Sequence, residues 1–177
     1  MMKRKQTKTL VLAGLFLAIG MLLPFLTGQI KEIGDTLLPM HIPVMLCGFL
    51  CGWGYGGVVG LTLPFLRSLL FSMPPFYPNA IWMATELATY GLITGILHAR
   101  LKNKGIGFLY LTLICSMLAG RVTWGVSKAL LLGLGGKAFG IVAFVTGGFL
   151  DAIPGIVLQL ILIPPIVRIA QRYSKNM

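Results

Sequence analysis

Residues 106–132 read IGFLYLTLICSMLAGRVTWGVSKALLL. Only Arg121 and Lys128 carry charge in that run. As a helix rising 1.5 Å per residue it would extend about 40 Å, more than the roughly 30 Å hydrocarbon core of a bilayer. The chain around it has the same character. Of its 177 residues 56% are hydrophobic and 11% charged, with a mean hydropathy of +0.89. Soluble domains carry about a quarter charged residues, and four acidic residues cannot keep a chain of this length in water. The reading is one all-α integral membrane domain over 1–177.

Outward from 106–132, apolar runs bounded by prolines, glycines and basic residues predict a bundle of six transmembrane helices, at about 9–26, 37–51, 55–71, 79–98, 106–132 and 141–168. The second is short and polar at its start, with Pro39 and Pro43 inside it. The sixth is long enough to tilt or to kink at Pro154. The basic start Lys3-Arg4-Lys5 resembles a signal peptide, but no small-residue cleavage site follows it, so the run is read as the first span.

The net charge of +11 does not read as a nucleic-acid footprint, because the cations flank apolar runs, where anionic headgroups lie. Six spans place three basic segments on one side: Lys3, Arg4, Lys5 and Lys8; Arg100, Lys102 and Lys104; Arg168, Arg172 and Lys175. The opposite side holds Lys31 and Lys137. The positive-inside rule then predicts both termini in the cytoplasm of a cell (plasma) membrane protein. Three segments face outward: Thr27–Thr36, Phe71–Pro78 and Gly133–Gly140. The proline-rich middle one suits either a stiff lid or a plain connection.

Charges inside spans are costly and mark function or internal pairing. Arg67, Glu86, Arg121, Lys128 and Asp151 all fall at or outside the expected midplane, on four helices. Arg121, Trp124 and Lys128 share one face of their helix; so do Asn79, Trp82 or Met83, Glu86 and Tyr90 on theirs. Asp151, Gly155 and Gln159 roughly align on the last. These positions predict one outward-facing substrate pocket of Arg67, Asn79, Trp82, Glu86, Tyr90, Arg121, Trp124, Lys128 and Asp151, with His41 as a pocket residue or a turn-capping donor. Three cations against two carboxylates favour an anionic ligand group. The alternative is internal pairing, Arg67 with Glu86 and Arg121 with Asp151. His98, beside Arg100, is expected at the cytoplasmic interface.

No catalytic or metal constellation emerges. Gly52-Trp-Gly54-Tyr-Gly56-Gly57 fits G-x-G-x-x-G but joins two spans, and reads as a tight turn with interfacial aromatics rather than a dinucleotide site. A phosphate-binding G-x-x-x-x-G-K-[ST], an H-E-x-x-H and a G-x-S-x-G are all missing. Cys47, Cys51 and Cys115 sit in apolar stretches and read as small hydrophobes. The expectation is no enzyme, no cofactor and no metal. Gly14 and Ala18 form a small-x-x-x-small pair in the first span, suited to close helix approach, either within the chain or to a partner.

Several stretches together resemble the substrate-binding S components of energy-coupling factor (ECF) vitamin transporters: Leu38-Pro-Met-His-Ile-Pro-Val44 with Gly48-Phe49, Pro64-Phe-Leu-Arg-Ser-Leu-Leu70, Met83-Ala-Thr-Glu-Leu-Ala-Thr-Tyr-Gly91, and Asp151-Ala-Ile-Pro-Gly155 leading to Leu158-Gln-Leu-Ile-Leu-Ile-Pro164. The resemblance covers nearly the whole length. It implies high-affinity capture of a B vitamin or related micronutrient, and partnership with a membrane coupling subunit and two ATP-binding-cassette ATPases on separate chains. The family's docking signature is A-x-x-x-A in the first span; here Gly14 and Ala18 take those positions. Pantothenate is the first substrate expectation, with pyridoxine-, folate- or cobalamin-like ligands also open. The alternative is a self-sufficient ion-coupled secondary transporter of a small organic solute, which usually has more spans or an inverted repeat.

Overall fold

The computed structural model describes residues 2–27, 36–101, 105–136 and 138–175. Lys31, Lys102, Lys104, Lys137 and nearly all of Thr27–Thr36 lie outside the described residues, as do the side chains of Lys3, Arg4, Lys5 and Lys175. Helix α1 is Met2–Leu22 and ends in a 3-10 turn, Leu23–Thr27. Then come α2 (His41–Cys51), α3 (Trp53–Phe71), a π-turn at Phe76–Ala80, α4 (Ile81–Leu101) and α5 (Ile106–Leu134). Short α6 (Ile141–Val145), a second π-turn (Thr146–Leu150) and α7 (Ile153–Lys175) complete the chain. No strand occurs among the described residues.

Among the described residues, five helical stretches are long and apolar enough to cross a membrane: Gln6–Leu26, Trp53–Phe71, Phe76–Leu101, Ile106–Leu134 and Ile141–Tyr173. The expected span 37–51 is corrected. Leu38 has φ 51, a conformation no right-handed helix contains, and Pro39–Met40 form a turn. The helix therefore starts only at His41 and has 11 residues, about 16 Å of rise. Length alone does not make it a span.

Short as it is, α2 forms the centre of the bundle. It lies against α1, α3, α4 and α7, and Val44, Met45 and Cys47 are fully buried. Arg67 of α3 reaches the carbonyl of Met21, and the rings of Phe25 and Phe71 meet 4.9 Å apart. The C-terminal ends of α1 and α3 are thus together, and α2 runs back between them.

The glycines explain how α2, α3 and α4 come so close. A Cβ on Gly56 would stand 2.8 Å from Gly48 Cα and from the carbonyl oxygen of Gly91, and one on Gly91 would run into the Gly56 backbone. Lipid offers no hydrophobic force between helices, so small residues that admit backbone contact supply the packing. This also corrects the reading of residues 52–57 as a turn. Only Gly52, at φ 93, makes the link; from Trp53 onward the chain is helix, and Gly56 belongs to the seam. Gly91→Ala is expected to destabilise the fold by about 1–3 kcal/mol through overpacking. Gly54→Ala, whose Cβ meets nothing within 4 Å, should stay within about 0.5 kcal/mol. Reversible unfolding in detergent measures both.

The last span breaks at Asp151–Ala152, just ahead of Pro154. Proline lacks the N–H, and its ring crowds the carbonyl four residues earlier, here Leu150. The residue after the break resumes a regular helix, and α7 buries Gly155, Gln159, Ile163 and Val167 along one stripe.

Candidate functional site

Helices α4 and α5 are held in register by side-chain hydroxyls. Thr85 Oγ1 and Ser127 Oγ are 2.9 Å apart, and Thr89 Oγ1 donates to Thr123 Oγ1 at 3.2 Å. That register sets Glu86 opposite Arg121, whose Nη1 donates to Glu86 Oε1 at 2.9 Å. His41, at the start of α2, brings Nε2 within 3.4 Å of the same oxygen. All three residues are at most 3% exposed. Tyr90 lies one turn further along α4. Its ring meets His41 edge-on at 5.1 Å and is seated over Gly120, where a Cβ would stand 2.7 Å from it.

Above this floor opens a cavity of about 520 Å³. Of the residues nominated from sequence, His41, Arg67, Asn79, Trp82, Glu86, Arg121, Trp124, Lys128 and Asp151 all line it. Tyr90 does not; it supports the floor from beneath. Lys128 sits among aromatic rings, with Nζ 4.4 Å from the centroid of Trp124, 5.2 Å from Phe139 and 5.4 Å from Trp82. Ring faces attract an ammonium group electrostatically.

The charge pairings of the alternative reading are both replaced. Arg67 does not pair with Glu86. Its Nη1 donates to Met21 O at 2.6 Å, and its guanidinium lies over Phe25 at 5.4 Å and Phe71 at 5.5 Å. Met21 is in the last turn of α1, where carbonyls lack an intrahelical donor, so Arg67 caps α1 at the cavity rim. Arg121 takes Glu86 instead of Asp151, because the α4–α5 register puts Glu86 in reach. Asp151 is exposed, off the buried stripe of Ala152, Gly155 and Gln159; at about 100° per residue, Asp151 and Gln159 stand roughly 80° apart even on a regular helix.

Sequence reasoning missed Met40, Met73 and Phe139. The two methionines line the cavity from proline-flanked turns, and apolar residues in such turns carry no polar signal. His98 is half-buried and joins α4 to α7 through Gln171, Nε2 to Nε2 at 2.9 Å. Cys47, Cys51 and Cys115 are free thiols, and no group of three metal-ligating side chains occurs among the described residues. Gly14 and Ala18 are exposed on α1, and a Cβ on Gly14 would meet nothing within 4 Å.

An apolar helical bundle with a solute-sized cavity, floored by a buried ion pair, belongs among multi-pass membrane proteins that handle small molecules. A family model described as ECF transporter, substrate-specific component, matches residues 8–167, and the chain belongs to that family. It is accordingly a transport subunit rather than an enzyme. No curated protein and no solved structure matches the chain.

Proposed function

We propose that this chain is the capture subunit of an ATP-dependent ECF-type importer for a vitamin-like micronutrient, and that the cavity above Glu86 and Arg121 is its binding site. The observation that carries the reading is convergence. Residues nominated for polarity and helical phase, on separate helices, line one cavity whose volume falls in the usual range for small-molecule sites.

The chain crosses the membrane six times, with both termini cytoplasmic and the cavity facing out. Five crossings would put the basic N-terminal and C-terminal segments on opposite sides, against the positive-inside rule. Counting α2 as a crossing restores the agreement, and its course between the parallel helices α1 and α3 supports that count. The exposed Gly14–Ala18 face of α1 docks the membrane coupling subunit, and two ATP-binding-cassette ATPases on separate chains drive transport in the plasma membrane. Pantothenate is the leading substrate.

Thermal unfolding of the detergent-purified protein against water-soluble vitamins tests this. One vitamin should raise stability by about 2.7 kcal/mol at a hundred times its Kd, and Trp82→Ala should abolish the gain. A flat response across the panel rejects capture of those vitamins.

A further inference from the structure

A second cavity, of about 150 Å³, lies at the end of the bundle away from Glu86, where the end of α4, the start of α5 and the last turns of α7 meet. Arg168, His98 and Gln171 form its polar wall, and Leu101, Ile106 and Phe108 its apolar one. Small-molecule pockets usually hold roughly 300–1,000 Å³. This one therefore admits only part of a ligand, and the rest must lie outside it.

The polar wall offers donors. Gln171 Nε2 donates to His98 Nε2 at 2.9 Å, since an amide nitrogen does not accept. The amide carries two N–H groups, so a second remains. Arg168 adds a fixed positive charge and a fork of five N–H donors. It is exposed and makes no salt bridge among the described residues. No acid offsets this charge nearby in the sequence. All four, Glu32, Asp35, Glu86 and Asp151, lie elsewhere, whereas Arg100, Lys102, Lys104, Arg172 and Lys175 flank these three helix ends. The part of the ligand that enters is an anion.

The part that stays outside meets apolar surface. Arg168 shares one helical stripe with Pro165, Ile161 and Val157, all exposed. Ile106, Tyr110 and Ile114 form an exposed stripe along α5. An anionic head joined to a long apolar tail is an anionic phospholipid, and its phosphate oxygens suit an arginine fork. We infer that such a lipid seats its phosphate on Arg168 and Gln171, lays its acyl chains along the exposed stripe of α7, and braces α7 against α4 and α5.

Native mass spectrometry and thermal shift on the full chain in neutral detergent test this. The probes are dioleoylphosphatidylglycerol, dioleoylphosphatidylcholine and glycerol phosphate. The anionic lipid should bind about 10-fold or more tightly than the zwitterionic one, as for a hydrogen bond to a charged group. Arg168→Gln should remove that preference. Gln171→Leu, which deletes the second donor, should narrow it about threefold or more. Arg172→Gln, exposed one turn further on, should cost no more than the roughly fivefold that a diffuse surface charge supplies. Equal binding of the two lipids overturns the assignment whatever the variants do. Equal losses from Arg168→Gln and Arg172→Gln overturn it in favour of a diffuse basic surface. Displacement of the lipid by millimolar glycerol phosphate overturns it in favour of a soluble phosphate ligand.

Discussion

Replacing Ala18 with tryptophan is expected to reduce ATP-dependent uptake by the assembled importer about 100-fold or more, equivalent to losing about 2.7 kcal/mol of docking free energy, while ligand binding by the isolated subunit is unchanged. The expectation comes from where α1 turns its small residues. Ala13, Phe16 and Gly20 face the bundle and are buried; Gly14 and Ala18 face away. Glycine within a helix costs about 0.5–1 kcal/mol relative to alanine, and at Gly14 no internal neighbour requires it, since an added Cβ would stand in open space. A close-approaching external helix gives that glycine a use. Tryptophan at position 18 would project outward without disturbing the cavity, yet would block such an approach. Val58→Trp, on an exposed face of α3, serves as the control and should transport normally. Uptake into cells or proteoliposomes with the coupling subunit and ATPases present, beside calorimetry on the subunit alone, separates docking from binding. Normal uptake by Ala18→Trp would reject the docking face; joint loss of uptake and binding would mean that the substitution damaged the fold.

The sequence was most legible where one physical rule acted alone. Long apolar runs marked the five helical stretches long enough to cross a membrane among the described residues, since hydropathy and length suffice there. Helical phase placed Trp82, Glu86, Arg121, Trp124 and Lys128 at one cavity, because regular helices preserve phase over two turns. Errors arose where the backbone leaves regular geometry. Leu38 at φ 51 shortened α2 in a way a proline count could not specify. Partner choice was also hidden. Arg67 had a nearer acceptor in Met21 O, a backbone group invisible to any tally of charged side chains. The identity of the floor, Tyr90 over Gly120, depended on interhelical register, which one helix's pattern does not contain.

Glu86→Ala should cost about 3–5 kcal/mol of stability, the usual effect of removing one member of a buried ion pair. Arg121 would keep its charge at 3% exposure with its one carboxylate partner gone, and His41 Nε2 would lose its neighbour at 3.4 Å. The pair itself need not be worth that much. Much of the cost is the stranded cation, so removing both charges should do less harm than removing one. Glu86→Gln with Arg121→Gln is therefore expected to be more stable than Glu86→Gln alone, with a coupling of about 1–3 kcal/mol in a double-mutant cycle. Unfolding in detergent provides all four corners of that cycle. Additive losses, or a Glu86→Ala cost below about 1 kcal/mol, would show that the pair is hydrated and that the cavity floor is open to water. A coupled loss would instead place the pair in a dry floor, where the Glu86–Arg121 hydrogen bond is strongest because no water competes for it.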